Sequence, residues 1–251
     1  MESYNLGNIS ILENLQCPVL LDETFRSNTD RTYTSWFFES KSSELNGLCD
    51  KYSTDKGGFD PETKTYPWLS HNYAYFYEHL FQHIRPFVTN IFEFGIGTND
   101  AKFTDNMTAK GVPGASLRVW RDYFPMAEIH GADIDKNVLF TEERIRTYFV
   151  DQLDQATFDD LWKNFEDVQF DIIIDDGLHT FEAGINTFAN SFHKLSQGGL
   201  YIIEDVRGTS PLEFLSFFKK NREFNFQIVW LNRSNGTRKD CLLVIRKNYD
   251  Q

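Results

Sequence analysis

Asp171-Ile-Ile-Ile-Asp-Asp-Gly-Leu-His179 is an apolar run that ends in two acids and a glycine, with a histidine three residues beyond Asp176. Ile172 to Ile174 show no polar alternation, which marks a strand covered on both faces, as in a parallel sheet. A second run of this kind, Leu200-Tyr-Ile-Ile-Glu-Asp205, follows it. Between them, Thr180 to Leu195 has the length of a crossover helix, and Gly198-Gly199 is expected to mark its stop. A right-handed crossover sets two such strands side by side and parallel. Asp176, His179, Glu204 and Asp205 then converge at the carboxyl edge, where open α/β sheets bind ligands. Three acids and a histidine in one cleft point to a divalent metal with a general base beside it.

Working outward, Val88 to Phe94, Glu128 to Ile134 and Arg146 to Val150 read as further strands. Ser116 to Tyr123, Phe158 to Phe165 and Pro211 to Lys220 read as helices, the last with proline near its start. Phe226 to Leu231 and Leu242 to Ile245 close the chain as two strands around Ser234-Asn235-Gly236. Strands alternating with helices, then a terminal pair, predict a mostly parallel sheet with one antiparallel strand. Upstream, Tyr73 to Ile84 carries aromatics at helical spacing and stops at Pro86. Residues 49 to 72, rich in Gly, Pro, Thr and Asp, read as an ordered loop or lid. The first 45 or so residues are mixed and polar. The expected organisation is an N-terminal helical and lid segment over 1–86 and a catalytic domain over 87–251.

A chain of 251 residues with 41% apolar content and 24 phenylalanines can bury one large aromatic core. Its net charge of −12 carries no basic stripe, which argues against nucleic acid as a partner. Cys17, Cys49 and Cys241 are odd in number and lack metal spacing, so they read as reduced thiols. The start has no secretory pattern, and no apolar stretch approaches a membrane span. A soluble, cytoplasmic protein with no membrane partner is expected. The oligomeric state stays open, a homo-oligomer included.

The strand ending in Glu93-Phe-Gly-Ile-Gly97 suits a tight turn against a nucleotide-like ligand. The dinucleotide fingerprint would put a third glycine at Asp100 and its ribose acid about 20 residues on, whereas Asp133 lies further. That departure counts against NAD. Glu93 can accept from an ammonium group, Asp133 from both ribose hydroxyls, and Asp151-Gln152 can read an adenine edge. A nucleoside with a cationic amino-acid tail and no phosphate is S-adenosylmethionine.

Glu93-Phe-Gly-Ile-Gly97, Gly114-Ala-Ser-Leu-Arg-Val-Trp120, Gly131-Ala-Asp-Ile-Asp135, Ile174-Asp-Asp-Gly-Leu-His179 and Ile203-Glu-Asp205 together resemble the metal-dependent sugar O-methyltransferases. That family includes macrolide-sugar and bacterial capsular-sugar enzymes, and Ser53-Thr-Asp-Lys-Gly57 and His71-Asn-Tyr73 match it too. The likeness runs from about residue 47 to 206. It implies a class I methyltransferase fold, an α/β Rossmann-like seven-stranded mixed sheet, with S-adenosylmethionine and magnesium or another divalent cation as cofactors. It makes Asp176, Glu204 and Asp205 the metal carboxylates and His179 the base, with Asp176 also at the reacting centre. It places Thr54, Lys56, Tyr73, Glu93, Gly95, Gly97, Ser116, Asp133, Asp151, Gln152 and Asp175 around the cofactor, with His71 reaching in from the lid.

The implied acceptor is a sugar hydroxyl, nucleotide-linked or on a surface polysaccharide, such as a heptose or deoxysugar. Rival readings are a methyltransferase of another small acceptor, a nicotinamide-dependent oxidoreductase, and a non-catalytic module that kept the fold. The intact acids and His179 weigh against the last.

Overall fold

The two apolar runs form neighbouring parallel strands, β6 (Phe170–Asp175) and β7 (Leu195–Ile203), with Asp175 opposite Ile203. This is a computed structural model, and it describes residues 33–36, 43–58, 64–219, 224–232 and 239–248. Ile172, Ile173 and Ile174 are each no more than 1% exposed. Ile172 and Ile174 join one core cluster and Ile173 the other, so β6 is covered on both faces as its composition requires.

The remaining strands are β1 (Tyr33–Trp36), β2 (Asn90–Phe94), β3 (Glu128–Asp133), β4 (Thr141–Glu142), β5 (Ile145–Phe149), β8 (Phe224–Asn232) and β9 (Lys239–Lys247). Their order is β1-β8-β9-β7-β6-β2-β3-β5-β4. The seven longer strands make the expected mixed sheet, and β1 and β4 add short edges. β9 runs antiparallel to both β7 and β8, and β4 runs antiparallel to β5. The expected turn at Ser234–Gly236 lies outside the described residues.

Helices α1 (Glu44–Tyr52), α2 (Tyr73–Phe81) and α3 (Ala115–Tyr123) cover one face through Leu45, Tyr77 and Trp120. Helices α4 (Gln155–Trp162), α5 (Phe181–Ser191) and α6 (Ser210–Phe218) cover the other through Phe158, Phe188 and Phe214. Thr180 caps α5, its hydroxyl accepting from the Ala183 amide at 3.2 Å.

One expectation is corrected. Gly198-Gly199 does not stop α5, which ends at Ser191, but lies inside β7. A Cβ at Gly199 would sit 3.1 Å from the Asp171 carbonyl oxygen, and the pairing register shifts between Phe170 and Ile172. The pair therefore serves a close backbone approach in an irregular strand. Among the described residues no helix is long and apolar enough to cross a membrane.

Candidate active site

The chain moves outward from β2 through β3 to β5, then returns to β6 on the other side, so the sheet's switch point lies between β2 and β6. The two loops leaving these strands touch there. The Asp176 amide donates to the Phe94 carbonyl at 2.8 Å. Gly95 adopts φ +81°, and a Cβ on it would lie 2.1 Å from the Asp176 carbonyl oxygen. Only glycine permits both the backbone angle and the approach.

Two adjoining cavities open above this contact. One, of about 210 Å³, is lined by Asp133, Ile134, Asp151, Gln152 and Leu178. The other, of about 310 Å³, is lined by Lys56, His71, Tyr73, Ser116, His179 and Asp205. Gly95, Gly97, Asp105 and Asp176 border both.

The acids at the carboxyl edge are held by named donors. Asp205 Oδ1 accepts from the Tyr73 hydroxyl at 2.5 Å and faces His71 Nδ1 at 3.1 Å, while Arg207 donates to its Oδ2. Asp176 Oδ1 lies 3.1 Å from His179 Nε2, and Asp105 faces the other ring nitrogen at 3.6 Å. Lys56 Nζ sits among Asp176 at 2.6 Å, Glu204 at 2.5 Å and Glu93 at 3.6 Å. The second Glu204 oxygen accepts from the Tyr77 hydroxyl at 2.6 Å.

The expected metal carboxylates Asp176, Glu204 and Asp205 all line the larger cavity with His179, and ligand atoms from Asp176, His179 and Asp205 lie within 4.8 Å of one another. Glu204 stands outside the 4.8 Å group, its two oxygens accepting from Lys56 and the Tyr77 hydroxyl. Carboxylates facing an open cavity fit a hard divalent cation that keeps further positions for water or substrate, with His179 beside it. A second buried trio, His71, Asp205 and Asp240, shares Asp205 with the first.

Charge follows from these contacts. Burial disfavours an ionised His179, but Asp105 and Asp176 on either side of the ring, with the charge of Asp205, outweigh it and lift its pKa to about 10. Burial likewise opposes charge on Asp205, yet His71, His179 and Arg207 hold its carboxyl well below the ordinary 3.8. Burial raises Glu204 to about 8, with Lys56 pulling the other way and Asp176 and Glu93 adding to the rise. Asn72, His179 and Asp205 all take positive φ, a left-handed backbone that is uncommon outside glycine and gathers at functional sites.

The expected cofactor residues divide. Gly95, Gly97, Thr54, Lys56, Tyr73 and Ser116 line the larger cavity, and Asp133, Asp151 and Gln152 line the smaller. Asp133 also accepts from the backbone amides of Ile96 at 3.0 Å and Asp135 at 2.9 Å, so it ties β3 to the glycine loop. Gln152 donates to Asp175 at 2.7 Å and accepts from the Leu178 amide at 2.7 Å, which fixes the loop after β6.

Glu93 and Asp175 line neither cavity. Alternation along β2 turns Glu93 towards α3, where Trp120 Nε1 donates to it at 2.6 Å. Asp175 is buried beneath the loop, and burial lifts its pKa to about 6 despite the Gln152 bond. Sequence reasoning missed Tyr77, Asp105, Arg207 and Asp240. Arg207, two residues past Asp205, was findable; Asp105 and Asp240 arrive from a loop and a distant strand, with no spacing to betray them.

No protein-family model matches the chain. Over 163 residues it is 32% identical to the 8-demethyl-8-alpha-L-rhamnosyl tetracenomycin-C 2'-O-methyltransferase of Streptomyces olivaceus, covering 65% of this chain and 38% of that enzyme. Over 167 residues it is 32% identical to the mycinamicin VI 2''-O-methyltransferase of Micromonospora griseorubida, covering 66% and 37%. The chain thus spans well under half the length of these curated relatives. The structure matches the MycE methyltransferase of the mycinamycin pathway in complex with Mg and SAH, with TM-score 0.57 and 25% identity over 84% of this chain and 56% of that one. An O-methyltransferase from Bacillus cereus in complex with SAH shares the fold at TM-score 0.51 and 12% identity, over 91% of this chain and 97% of that one. The fold is that of the class I methyltransferases, and the resemblance to sugar O-methyltransferases extends over about two thirds of the chain in sequence and 84% in structure.

Proposed function

We propose that this chain transfers a methyl group from S-adenosylmethionine to a hydroxyl of a deoxysugar, with a divalent cation assisting. The observation that carries the reading is the meeting of Asp176, His179 and Asp205 in the larger of two adjoining cavities, with Asp176 and a glycine turn on the border of both. The relatives' names describe sugar methylation, and each matches about two thirds of this chain.

In the smaller cavity, Asp133 presents its carboxylate for the ribose hydroxyls, and Asp151 and Gln152 border the space for the base. Gly95 and Gly97 let the backbone approach the joined space, and Thr54 and Ser116 line the half that would take the amino-acid tail. When bound, the sulfonium cofactor supplies the methyl group and the cation lowers the pKa of the acceptor hydroxyl. Asp176 and Asp205 would hold that cation, and Tyr73, His71 and Arg207 keep Asp205 ionised and aimed. His179 stands beside Asp176; with the neighbouring carboxylates engaged by a cation, the negative charge that keeps the ring protonated would be drawn off, freeing a ring nitrogen to take the hydroxyl proton. Lys56 places its ammonium among Asp176, Glu204 and Glu93, and the cavity walls would keep the methyl in line by positioning.

Manganese titration followed by electron paramagnetic resonance tests this arrangement. Wild-type chain should bind one ion and Asp205→Ala should not, while both bind S-adenosylhomocysteine equally. Manganese binding that survives Asp205→Ala unchanged removes the cation from this site.

A further inference from the structure

The larger cavity is walled mainly by charged and polar groups that already have partners. Trp68 differs. It lies in the segment between α1 and α2, and its indole N–H donates to Asp55 Oδ2 at 2.5 Å. Its carbonyl accepts from Lys64 Nζ at 2.8 Å, and its ring packs on Tyr66 with centroids 5.9 Å apart. Tyr66 is itself buried, its hydroxyl sharing a hydrogen bond with Ser70 at 2.7 Å. Asp55 also faces His71 Nε2 at 3.3 Å, and His71 faces Asp205. The indole is therefore fixed, through two side chains, to the acid cluster.

With its N–H engaged inside the protein, what Trp68 offers the cavity is carbon. Tyr73, the other aromatic residue lining this space, is 1% exposed and its hydroxyl is bound to Asp205. Trp68 is half-buried and lines the larger cavity while contributing nothing to the smaller one that Asp133 and Asp151 border. It stands away from the nucleoside side and next to the cluster.

We infer that Trp68 is the platform on which the acceptor sugar rests, a specificity-determining residue for the reaction proposed above. A pyranose is amphipathic: its hydroxyls lie along the edge and its C–H bonds crowd onto a face. The negative face of an indole attracts such polarised C–H groups and covers apolar area at once. A ring seated on Trp68 turns its hydroxyl edge to Asp176, His179 and Asp205, which share the cavity. A 6-deoxyhexose, whose methyl replaces a hydroxymethyl, has the larger apolar face and fits this wall better than a fully hydroxylated sugar.

The inference rests on the methyltransferase reading, and one experiment separates the two. Full-length chain is loaded with S-adenosylhomocysteine and magnesium, then titrated with methyl α-L-rhamnopyranoside under saturation-transfer NMR. Calorimetry on the same samples reports S-adenosylhomocysteine binding, which tests the cofactor reading alone. Wild type should transfer saturation to the ring C–H protons of the rhamnoside. Trp68→Leu keeps apolar bulk without a π face and should bind the rhamnoside roughly tenfold more weakly, the scale of one lost aromatic contact. Trp68→Phe should stay within about threefold of wild type. All three should bind S-adenosylhomocysteine alike. Wild-type chain that gives no transfer from the rhamnoside, or a Trp68→Leu chain that binds it as tightly as wild type, overturns the platform.

Discussion

Replacing Lys56 with methionine keeps the length of the side chain and removes the one ammonium group set among Asp176, Glu204 and Glu93. Burial alone would drive Lys56 neutral, yet Asp176, Glu204 and Glu93 outweigh it and hold its pKa well above the ordinary value. Without that charge, one further carboxyl in the group must be carried protonated. Glu204 already lies at about 8, so the further proton falls on Glu93; at pH 7, protonating that carboxyl, with an ordinary value of 4.5, costs about 3.4 kcal/mol, at 1.36 kcal/mol per pH unit. That agrees with the ~3–5 kcal/mol typical of breaking a buried ion pair from one side. For a chain of this size it corresponds to a fall in Tm of roughly 7–14 °C. The affected carboxyl has a folded pKa raised above its unfolded one, so its penalty applies above pH 4.5 and shrinks as pH falls towards that value. At pH 5 it should be only about 0.7 kcal/mol. Urea unfolding of wild type and Lys56→Met at pH 7 and pH 5 measures both numbers. A deficit that is the same at the two pH values, or below about 1 kcal/mol at pH 7, would refute the view that Lys56 is the counter-charge of the floor.

Asp133→Ala should weaken S-adenosylhomocysteine binding by about 1–3 kcal/mol in calorimetry, since it unpairs the ribose and frees the Ile96 amide of the glycine loop. His179→Ala should lower turnover on the order of 100-fold or more while manganese binding persists; near-normal turnover would move the base elsewhere. His130 packs edge-on against Phe165 and Phe170 with no partner for Nδ1, and burial, aided by the charge of Arg146, lowers its pKa to about 4. Its neutral form is the folded one, so stability present above pH 6.5 is lost as pH falls towards 4, by about 2 kcal/mol at pH 5. His130→Phe should remove that acid-side loss in urea unfolding, and parallel pH profiles for the two proteins would contradict it.

The sequence disclosed what depends on local pattern. The isoleucine run, Glu93-Phe-Gly-Ile-Gly97 and the aromatic spacing from Tyr73 each specify an element and its end, and the crossover rule then sets β6 beside β7. It could not disclose the partners of each acid, which depend on non-local packing. That Glu204 accepts from Lys56 and Tyr77, more than a hundred residues upstream, is visible only once the chain is folded. Glu93 reads as a cofactor contact until the pleat of β2 turns it towards Trp120. Gly198-Gly199 carries the same signal whether it ends a helix or kinks a strand, and only the nearby Asp171 backbone distinguishes the two. The left-handed backbone at Asn72, His179 and Asp205 has only a weak sequence signature: Asn, His and Asp adopt it more often than other non-glycine residues, but most of them do not.

The central claim is that the joined cavities hold S-adenosylmethionine. Calorimetric titration of the chain with S-adenosylhomocysteine, and in parallel with NAD, tests it most directly. The account predicts saturable one-to-one binding of S-adenosylhomocysteine, weakened by Asp133→Ala, and no heat from NAD. Binding of NAD with none of S-adenosylhomocysteine would contradict it.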